Sequence, residues 1–323
     1  MTTAVTDRLD AYRDRTTAAM ARYVPTGEPR RHLYDPLRAY TLTGGKGIRS
    51  ALCLATCEAF GGAVDDALPS AAAVELLHAA FLIHDDIEDG STTRRGRSTM
   101  HVAYGVPVAL NAGDALATLC FRPLLENVHA LGSRMSRLVT AELQLAMETT
   151  GEGQAIELGL RDESALDLTP VDYLEMVLSK TCAYTTILPL RVGALIGSWS
   201  AADLDAIARF GFFLGAAFQI QDDILDLVTG AHEYGKDALG DVREGKRTLI
   251  LLHLLRTASS ADRDDVVRFL QSVDRSDAAV RRVRDLMDAY GSVDFAIDYA
   301  ARVARAAADS FDDAFAGCVG SPS

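Results

Sequence analysis

The sequence predicts an all-α protein, built as a single large helical bundle with a central cleft. Apolar residues recur at helical spacing along most of the chain, and the sustained alternation of apolar and polar residues that is typical of half-buried strands is absent. The 323 residues are 49% hydrophobic and 24% charged, which gives ample length and apolar content for a buried core. No linker rich in proline, glycine and serine divides the middle, so we expect one domain over residues 1–323.

The composition excludes several function classes. The net charge of −13, with basic residues in short clusters instead of a long stripe, argues against nucleic acid as a partner. The five cysteines form no CxxC pair, which favours reduced core thiols in a cytoplasmic protein. The first residues lack a basic region followed by an apolar stretch, so we expect no signal peptide. No apolar run approaches the roughly 20 residues of a membrane span, so we expect no integral membrane segment.

Helical patterns follow one another along the chain. The first is polar and is closed by Pro25, the later ones are apolar, and the C-terminal region alternates charge with alanine, as in solvated outer helices. Gly151–Gln154 breaks the pattern, and Pro189 is expected to bend its helix. The predicted helices are Asp7–Met20, Tyr34–Leu42, Ser50–Phe60, Ser70–Asp89, Val106–Leu131, Ser133–Thr149, Tyr173–Gly197, Ala202–Val228 and Leu249–Leu255.

The apolar helix Ser70–Asp89 ends in four acids within five residues, which we call the first aspartate motif (Asp85–Asp89). Asp85 and Asp89 are four residues apart and therefore share one helix face. Burying unpaired carboxylates would cost several kcal/mol each, so the acids must meet cations, and the arginines after the helix are candidates. His78 lies seven residues before Asp85 on nearly the same face, where a core role and a site role remain equally open.

The same pattern recurs as Asp222-Asp223-x-x-Asp226, again at the end of an apolar segment; we call it the second aspartate motif. Gln219 lies on the face of Asp222 one turn earlier. One acidic cluster usually marks a solvated helix end, but two in matching apolar contexts, each followed by a basic loop, indicate a site. Mg²⁺ binds one or two carboxylates together with phosphate oxygens. The two motifs therefore predict a site that holds metal ions and a polyanion together.

Several cations accompany glycine or apolar neighbours. Gly44–Arg49 contains two of them, Lys46 and Arg49, and fits either a glycine helix cap or a loop that approaches an anion closely. Lys180-Thr181 lies in an apolar helix, where the lysine either extends its head to solvent or points into a site. The glycine spacings match no P-loop, and the first motif lacks the ligand positions of an EF-hand.

Taken together, these segments resemble the trans-isoprenyl diphosphate synthases (polyprenyl synthetases), and among them the geranylgeranyl diphosphate synthases, over roughly Tyr40 to Leu255. Two departures stand out: Gly47 replaces a frequent arginine, and Ser98 a frequent proline. The matching segments, in the family's order, are Gly44-Gly45-Lys46-x-x-Arg49, His78, Asp85-Asp86-x-x-Asp89, Arg94-Arg95-Gly96, Gln154 with Glu157, Lys180-Thr181, Phe218-Gln219-x-x-Asp222-Asp223-x-x-Asp226, Gly235-Lys236 with Asp241, and Gly245-Lys246-x-Thr248.

The resemblance implies an isoprenoid synthase fold, a homodimer, and a Mg²⁺-dependent condensation of isopentenyl diphosphate with an allylic diphosphate (dimethylallyl, geranyl or farnesyl). About three Mg²⁺ ions, which Mn²⁺ could replace, would hold the allylic diphosphate. The implied metal ligands are Asp85, Asp89 and Asp222, assisted by Asp86 and Asp226. The implied contacts are Arg94, Lys180, Lys236 and Lys246 for the allylic diphosphate, and Lys46, Arg49, His78 and Arg95 for isopentenyl diphosphate. Thr181 and Gln219 would stabilise the allylic cation, and Asp223 completes the catalytic set.

The residues before Asp85 bear on product length, because the growing chain is expected to pass down the apolar cleft below it. Phe81, four residues earlier, lies about 6 Å along the helix axis, and Ala80 before it is small. In the family, bulky residues at both positions give short products. One large and one small residue favour the C20 product, with C15 or C25 as alternatives. A class I terpene cyclase and a non-catalytic synthase subunit are less favoured, because the second motif and the basic residues are all present.

Overall fold

The computed structural model describes residues 2–42, 45–162, 166–199, 201–228, 239–272, 275–316 and 318. The described chain is almost entirely helical, which confirms the predicted all-α class. Its α-helices are α1 (Thr2–Tyr23), α2 (Asp35–Thr41), α3 (Ile48–Ala59), α4 (Val64–Glu88), α5 (Met100–Tyr104), α6 (Val106–Leu119), α7 (Phe121–Asp162), α8 (Pro170–Val177), α9 (Leu188–Ser198), α10 (Leu204–Val228), α11 (Gly240–Glu244), α12 (Leu249–Thr257), α13 (Ser260–Gln271), α14 (Asp277–Ala289) and α15 (Ser292–Ala314). Two π-helical segments, Arg30–Tyr34 and Leu178–Ile187, precede α2 and α9.

The centre of the bundle is α4, which packs against α1, α3, α6 and α7. Its apolar face, including Leu76, Leu77 and Ile83, is fully buried. The expectation that no segment approaches a membrane span was wrong for this helix: among the described residues, α4 is long and apolar enough by length and composition, with a mean hydropathy of 1.4 over its most apolar window. However, 67% of that window is buried inside the bundle, which is how a core helix behaves.

Two predicted boundaries in the middle of the chain were wrong. The helix predicted over Val106–Leu131 is interrupted at Cys120, so α6 ends at Leu119. The predicted break between Leu131 and Ser133 is confirmed, because Gly132 has a non-helical backbone with a positive φ of 74° that kinks α7. The break predicted at Gly151–Gln154 is absent, and α7 stays helical there. A Cβ on Gly153 would lie only 2.2 Å from the backbone nitrogen of Lys180. Glycine therefore serves close packing of α7 against the second π-helical segment, not helix termination.

The region of Pro189 also differs from the expected simple bend. Pro189 is the second residue of α9, in a helical run that is continuous from Pro170 to Ser198, so its missing N–H removes a donor from that run. The backbone irregularity comes before it, in the π-helical segment Leu178–Ile187, which contains Lys180 and Thr181. Such π-type distortions frequently occur at functional positions, because they displace side chains from the regular helical track.

A short hairpin follows α4. Strands β1 (Thr93–Arg94) and β2 (Arg97–Ser98) pair antiparallel, with Arg94 opposite Arg97. The two turn residues between them, Arg95 and Gly96, have positive φ values of 54° and 72°, as a type I′ turn requires. The hairpin places two consecutive arginines beside the end of α4.

Candidate active site

The structure brings the two aspartate motifs to one cavity of about 510 Å³, lined by Asp85 at the end of α4 and by Asp222 and Asp223 near the end of α10. Lys180 and Lys246 line the same cavity. An adjoining cavity of about 380 Å³ is lined by residues of both motifs, including Asp89 and Asp226. We call the first the main cavity and the second the mouth cavity. The predicted meeting of two acidic clusters above a cleft is therefore observed.

Cations surround the first aspartate motif, as the cost of buried carboxylates requires. Asp85 Oδ2 lies 3.2 Å from Arg94 Nη2, and its Oδ1 lies 3.3 Å from Lys180 Nζ. Asp86, whose side chain is fully buried, accepts a hydrogen bond of 2.6 Å from Arg94 Nε. Asp89 lies 3.0 Å from Lys246 Nζ through Oδ2. Each aspartate of the motif thus contacts at least one basic residue.

These cations keep the carboxylates ionised. Burial alone would raise the pKa of Asp85, but Lys180, Lys246 and Arg94 together hold it well below its ordinary value. For Asp89, burial and the neighbouring Asp85 act upward on the pKa, but Lys246, Arg161 and Lys180 together outweigh them, so this pKa is also lowered. Both groups are therefore anionic at neutral pH and can act as oxygen ligands.

The second aspartate motif has a different environment. Asp223 accepts hydrogen bonds from the Tyr173 hydroxyl and the Gln219 amide, each at 2.8 Å. Gln219 in turn accepts a hydrogen bond of 3.0 Å from the Thr181 hydroxyl. Burial, reinforced by the Asp241 carboxylate, raises the pKa of Asp223 well above its ordinary value. Asp223 therefore anchors a hydrogen-bonded chain that ends at Thr181 on the wall of the main cavity.

Asp226, the last acid of the second motif, is buried and faces the mouth cavity. Its Oδ2 accepts a hydrogen bond of 3.1 Å from the backbone N–H of Asp241, close to the start of α11. Lys246 lies 3.3 Å from the Asp241 carboxylate and also contacts Asp89. The two motifs are thus connected through Lys246.

A second basic group lies beside the main cavity. Arg49 Nη1 donates to His78 Nε2 at 3.2 Å, and Arg49 Nη2 donates to the hydroxyls of Tyr184 and Thr185 at 3.1 and 2.8 Å. Because an arginine can only donate, His78 Nε2 must accept, which leaves the ring proton on Nδ1. Burial, together with Arg49 and the two hairpin arginines, lowers the pKa of His78 well below its ordinary value. His78 is therefore a neutral imidazole that orients Arg49.

Arg94 and Arg95 of the hairpin line different cavities. Arg94 lines the main and mouth cavities, whereas Arg95 lines a small cavity of about 40 Å³ next to His78 and the glycine loop. A Cβ on Gly45 would lie 2.8 Å from Arg95 Nη2, so only glycine permits this approach. Lys46, next to Gly45, is exposed.

The apolar part of the main cavity contains Phe81, whose ring packs edge-on against Tyr184 with centroids 5.2 Å apart. Ala80 is fully buried and does not line this cavity. Glu157, which takes the place of the family's aspartate, binds Lys180. Gln154 donates a hydrogen bond to Glu88.

Sequence analysis missed three residues of this site, namely Arg161, Tyr173 and Tyr184. Arg161 donates a 2.6 Å hydrogen bond to Asp89 Oδ1. Two of the three follow a proposed site residue by four positions, Arg161 after Glu157 and Tyr184 after Lys180, so helical spacing could have identified them. Tyr173 carries no such signal. Lys236, predicted to bind diphosphate, lies outside the described residues.

The residues present fit a hard divalent cation. Carboxylates of both motifs line two connected cavities, and Mg²⁺ prefers oxygen ligands, usually one or two carboxylates with phosphate oxygens and water. In the part of the chain that the structure describes, no three acidic, histidine or cysteine side chains converge as a ready cation site. Such a site therefore suits ions that a polyphosphate ligand helps to hold.

Comparison with known proteins identifies the family. The polyprenyl synthetase family model matches residues 30–287. A short chain isoprenyl diphosphate synthase of Methanothermobacter thermautotrophicus is 37% identical over 253 residues, covering 78% of this chain and 75% of that protein. A geranylgeranyl diphosphate synthase of Sulfolobus acidocaldarius is 32% identical over 280 residues, covering 87% and 84%. The crystal structure of geranylgeranyl pyrophosphate synthetase from Pyrococcus horikoshii matches with a TM-score of 0.84 at 31% identity, covering 98% of this chain and 94% of that one. The resemblance found in the motifs is thereby confirmed, and the chain belongs to the polyprenyl synthetase family of trans-isoprenyl diphosphate synthases.

Proposed function

We propose that this protein is a chain-elongating trans-prenyltransferase that condenses isopentenyl diphosphate with an allylic diphosphate and releases geranylgeranyl diphosphate, the C20 product. The observation that carries the proposal is that carboxylates of both aspartate motifs and their cations line one cavity of about 510 Å³, whose wall also contains apolar side chains such as Phe81 and Leu82. Relatives named geranylgeranyl diphosphate synthase support the product.

The allylic diphosphate binds between the two motifs. Arg94, Lys180 and Lys246 line the cavities there and donate to its oxygens; Lys236, outside the described residues, is assigned to the same group. Members of this family hold diphosphate through divalent metal. About three Mg²⁺ ions, replaceable by Mn²⁺, would supply positive charge that draws electrons from the leaving group. Their proposed ligands are Asp85, Asp89 and Asp222, with Asp86 and Asp226 assisting.

Ionisation breaks the bond between the allylic carbon and the diphosphate oxygen, and the electron pair leaves with the diphosphate. The Thr181 hydroxyl and Gln219 carbonyl, fixed by Asp223, direct their oxygen dipoles toward the developing allylic cation. The apolar walls exclude the water that would otherwise capture this cation.

Isopentenyl diphosphate binds beside Arg49 and His78, which line the same main cavity as Tyr184. Arg49, Arg95 and the exposed Lys46 hold its diphosphate, and the neutral His78 keeps Arg49 in place. Its double bond attacks the cation to form the new carbon–carbon bond. The attack leaves a positive charge on the other carbon of that double bond. A proton is then lost from the neighbouring carbon to the released diphosphate, which forms the new double bond.

The active form is proposed to be a cytoplasmic homodimer whose chain, residues 1–323, forms one catalytic domain. Apolar side chains on α6 and α7 support self-association, because they are unusually exposed for a folded domain. Leu125 is 70% exposed and Leu145 56%, and Leu110 on α6 is 45% exposed. A second copy would cover them.

The test is direct synthesis. Purified protein is incubated with Mg²⁺, isopentenyl diphosphate and, separately, dimethylallyl, geranyl or farnesyl diphosphate, and the products are separated by chain length after dephosphorylation. The C20 alcohol is expected as the main product from every primer, with none formed by Asp222→Asn.

Other outcomes would contradict the proposal in distinct ways. A C15 or C25 product would keep the chemistry and change the product length. A cyclic hydrocarbon formed from an allylic diphosphate alone would indicate a terpene cyclase. No turnover with any primer would indicate a non-catalytic subunit.

A further inference from the structure

Arg161 is a basic residue of the mouth cavity that none of the motifs behind the family resemblance includes. It follows Glu157 by one helical turn on α7, and the two side chains enter the site together. Glu157 binds the cation Lys180, whereas Arg161 binds the anion Asp89 at 2.6 Å. One face of α7 thus supplies a carboxylate to Lys180, which is proposed to bind diphosphate, and a guanidinium to Asp89, which is proposed to bind metal.

The two oxygens of Asp89 are held by cations of different kinds. Arg161 holds Oδ1 and Lys246 holds Oδ2, at 2.6 and 3.0 Å. Arg161 donates to Oδ1 through one nitrogen, Nη1, whose direction is set by the planar guanidinium, while the lysine ammonium is a point charge on a flexible stem. Lys246 also lies within 3.3 Å of both Asp241 and Glu244, so its charge is shared among three acids. The flexible stem of Lys246 lets the ammonium turn to an incoming polyanion, whose charge compensates for the lost contact, whereas Arg161 is the fixed partner.

Both members of the Arg161–Asp89 pair are shielded from water. The Asp89 side chain is 1% exposed and the Arg161 side chain 18% exposed. A charge-assisted hydrogen bond in such surroundings is stronger than a surface ion pair, and it restricts rotation of the carboxylate. With Oδ1 fixed, Oδ2 stays directed at Lys246, another residue of the mouth cavity.

We propose that Arg161 is a positioning residue for the metal site. Arg161 holds Oδ1 of Asp89, so that Oδ2 is free to bind a divalent cation when Lys246 moves to the diphosphate. The inference rests on the proposed function, because it takes Asp89 as a metal ligand. Partners that orient a metal-binding side chain typically change metal affinity or activity by about 10- to 100-fold when they are removed.

The expected effect is confined to metal dependence. In Arg161→Gln, Asp89 keeps Lys246 but loses its fixed partner, so the Mg²⁺ concentration needed for half-maximal diphosphate binding should rise at least about tenfold. Arg161→Lys should recover part of the difference, because it restores the charge without the planar guanidinium. Turnover at saturating Mg²⁺ should fall much less than the apparent Mg²⁺ affinity does.

The experiment measures inorganic pyrophosphate binding by calorimetry over a range of Mg²⁺ concentrations, without turnover. The control is Arg263→Gln, which removes the same charge from an exposed pair with Asp167 and lines neither cavity. Thermal unfolding of each variant verifies folding, and Arg161→Lys serves should Arg161→Gln not fold.

The outcomes separate the two proposals. The inference is supported if the Mg²⁺ concentration for half-maximal binding rises more in Arg161→Gln than in the control and rises less in Arg161→Lys. A Mg²⁺ dependence equal to that of Arg263→Gln, or tighter than wild type, overturns it while leaving the proposed function intact. Wild-type protein that shows no Mg²⁺-dependent pyrophosphate binding overturns both.

Discussion

The second acid of each aspartate motif occupies the same place in the sequence pattern but a different electrostatic environment. Asp86 is fully buried against the guanidinium of Arg94, a charged donor. Asp223 is 4% exposed and receives hydrogen bonds from two neutral donors, Tyr173 and Gln219. The first motif is therefore held together by ion pairs, and the described partners of Asp223 form a neutral hydrogen-bond network.

The difference follows from what lies beside each helix end. After α4 the type I′ turn brings Arg94 back against Asp86, whereas the second motif faces Tyr173 on α8. Burial without a cation raises the pKa of Asp223, while cations lower the pKa of Asp85. Two copies of one sequence pattern can thus serve different purposes: one carries negative charge for ligands, and the other also fixes neutral dipoles.

The largest expected effect contrasts the two motifs in activity. Asp85→Asn removes a carboxylate that is proposed to hold metal in the main cavity, so kcat should fall roughly 10³-fold. Asp223→Asn keeps the shape of a group that contacts neutral donors, so kcat should fall by about tenfold or less. Steady-state assays of both variants at saturating Mg²⁺ measure this. Equal losses in the two variants would show that the electrostatic distinction has no catalytic meaning.

The next contrast concerns stability. Asp86→Asn removes the charge that faces Arg94 Nε at 2.6 Å and leaves the guanidinium its 3.2 Å contact with Asp85, so it should cost about 2–3 kcal/mol, as for a hydrogen bond between charged groups. Asp223→Asn should cost about 1–2 kcal/mol, because the Tyr173 hydroxyl can rotate to accept from the new amide. Urea unfolding curves provide both values.

A control for Asp86→Asn is Asp65→Asn, which breaks an exposed pair with Arg15 and should change the free energy of unfolding by less than about 1 kcal/mol. If Asp86→Asn were no more destabilising than this surface variant, the ion pair beneath the first motif would not hold the hairpin in place.

Much of this arrangement was predictable from the sequence. The helical class, the two acidic helix ends and the need for cations beside them followed from periodicity and from the cost of buried charge. The arginines after the first motif were named on that basis, and the structure places Arg94 on Asp85. For Lys180 the residues left a solvent-directed and a site-directed side chain open, and the structure places it on Asp85 as well. Local spacing determined these features, so a single sequence was sufficient.

Other features depend on how distant segments pack. Gly153 was interpreted as part of a helix break. Its glycine is needed instead because the backbone of Lys180, in another helical segment, packs against it and leaves no room for a side chain. The contacts of Tyr173 with Asp223 and of Arg161 with Asp89 join residues 50 and 72 positions apart. Such pairings are set by the tertiary fold, which period and propensity do not determine.

The two sides of the main cavity should also differ in control of product length. Phe81 belongs to α4 and packs edge-on against Tyr184, so Phe81→Ala should open space below the first motif and lengthen the product by one or more C5 units. Phe218, 40% exposed on α10, also lines the cavity. Phe218→Ala should not lengthen the product. Chromatography of dephosphorylated products distinguishes these outcomes, and an unchanged product from Phe81→Ala would refute Phe81 as the floor.

The smallest expected effect is a pH dependence of the unfolding free energy that arises from His78 on α4. His78 stays neutral in the folded protein because burial and nearby arginines lower its pKa, whereas an unfolded chain binds this proton near pH 6.5. Acid therefore favours the unfolded state, and stability that is fully present above about pH 6.5 should fall below it by up to about 1.4 kcal/mol per pH unit.

Glu244 has the opposite effect on stability as the pH falls. Burial raises its pKa to about 7, so the folded protein binds this proton before the unfolded chain does, and acid favours the folded state. The informative quantity is therefore the difference between wild type and His78→Gln in unfolding free energy at about pH 7.5 and about pH 5.5. Glutamine can still accept from Arg49, so it preserves that contact and removes only the titration. The exposed His129→Gln should leave the slope unchanged. A wild-type slope that survives in His78→Gln would place the acid-sensitive group elsewhere, and the neutral imidazole assigned beside Arg49 would then be wrong.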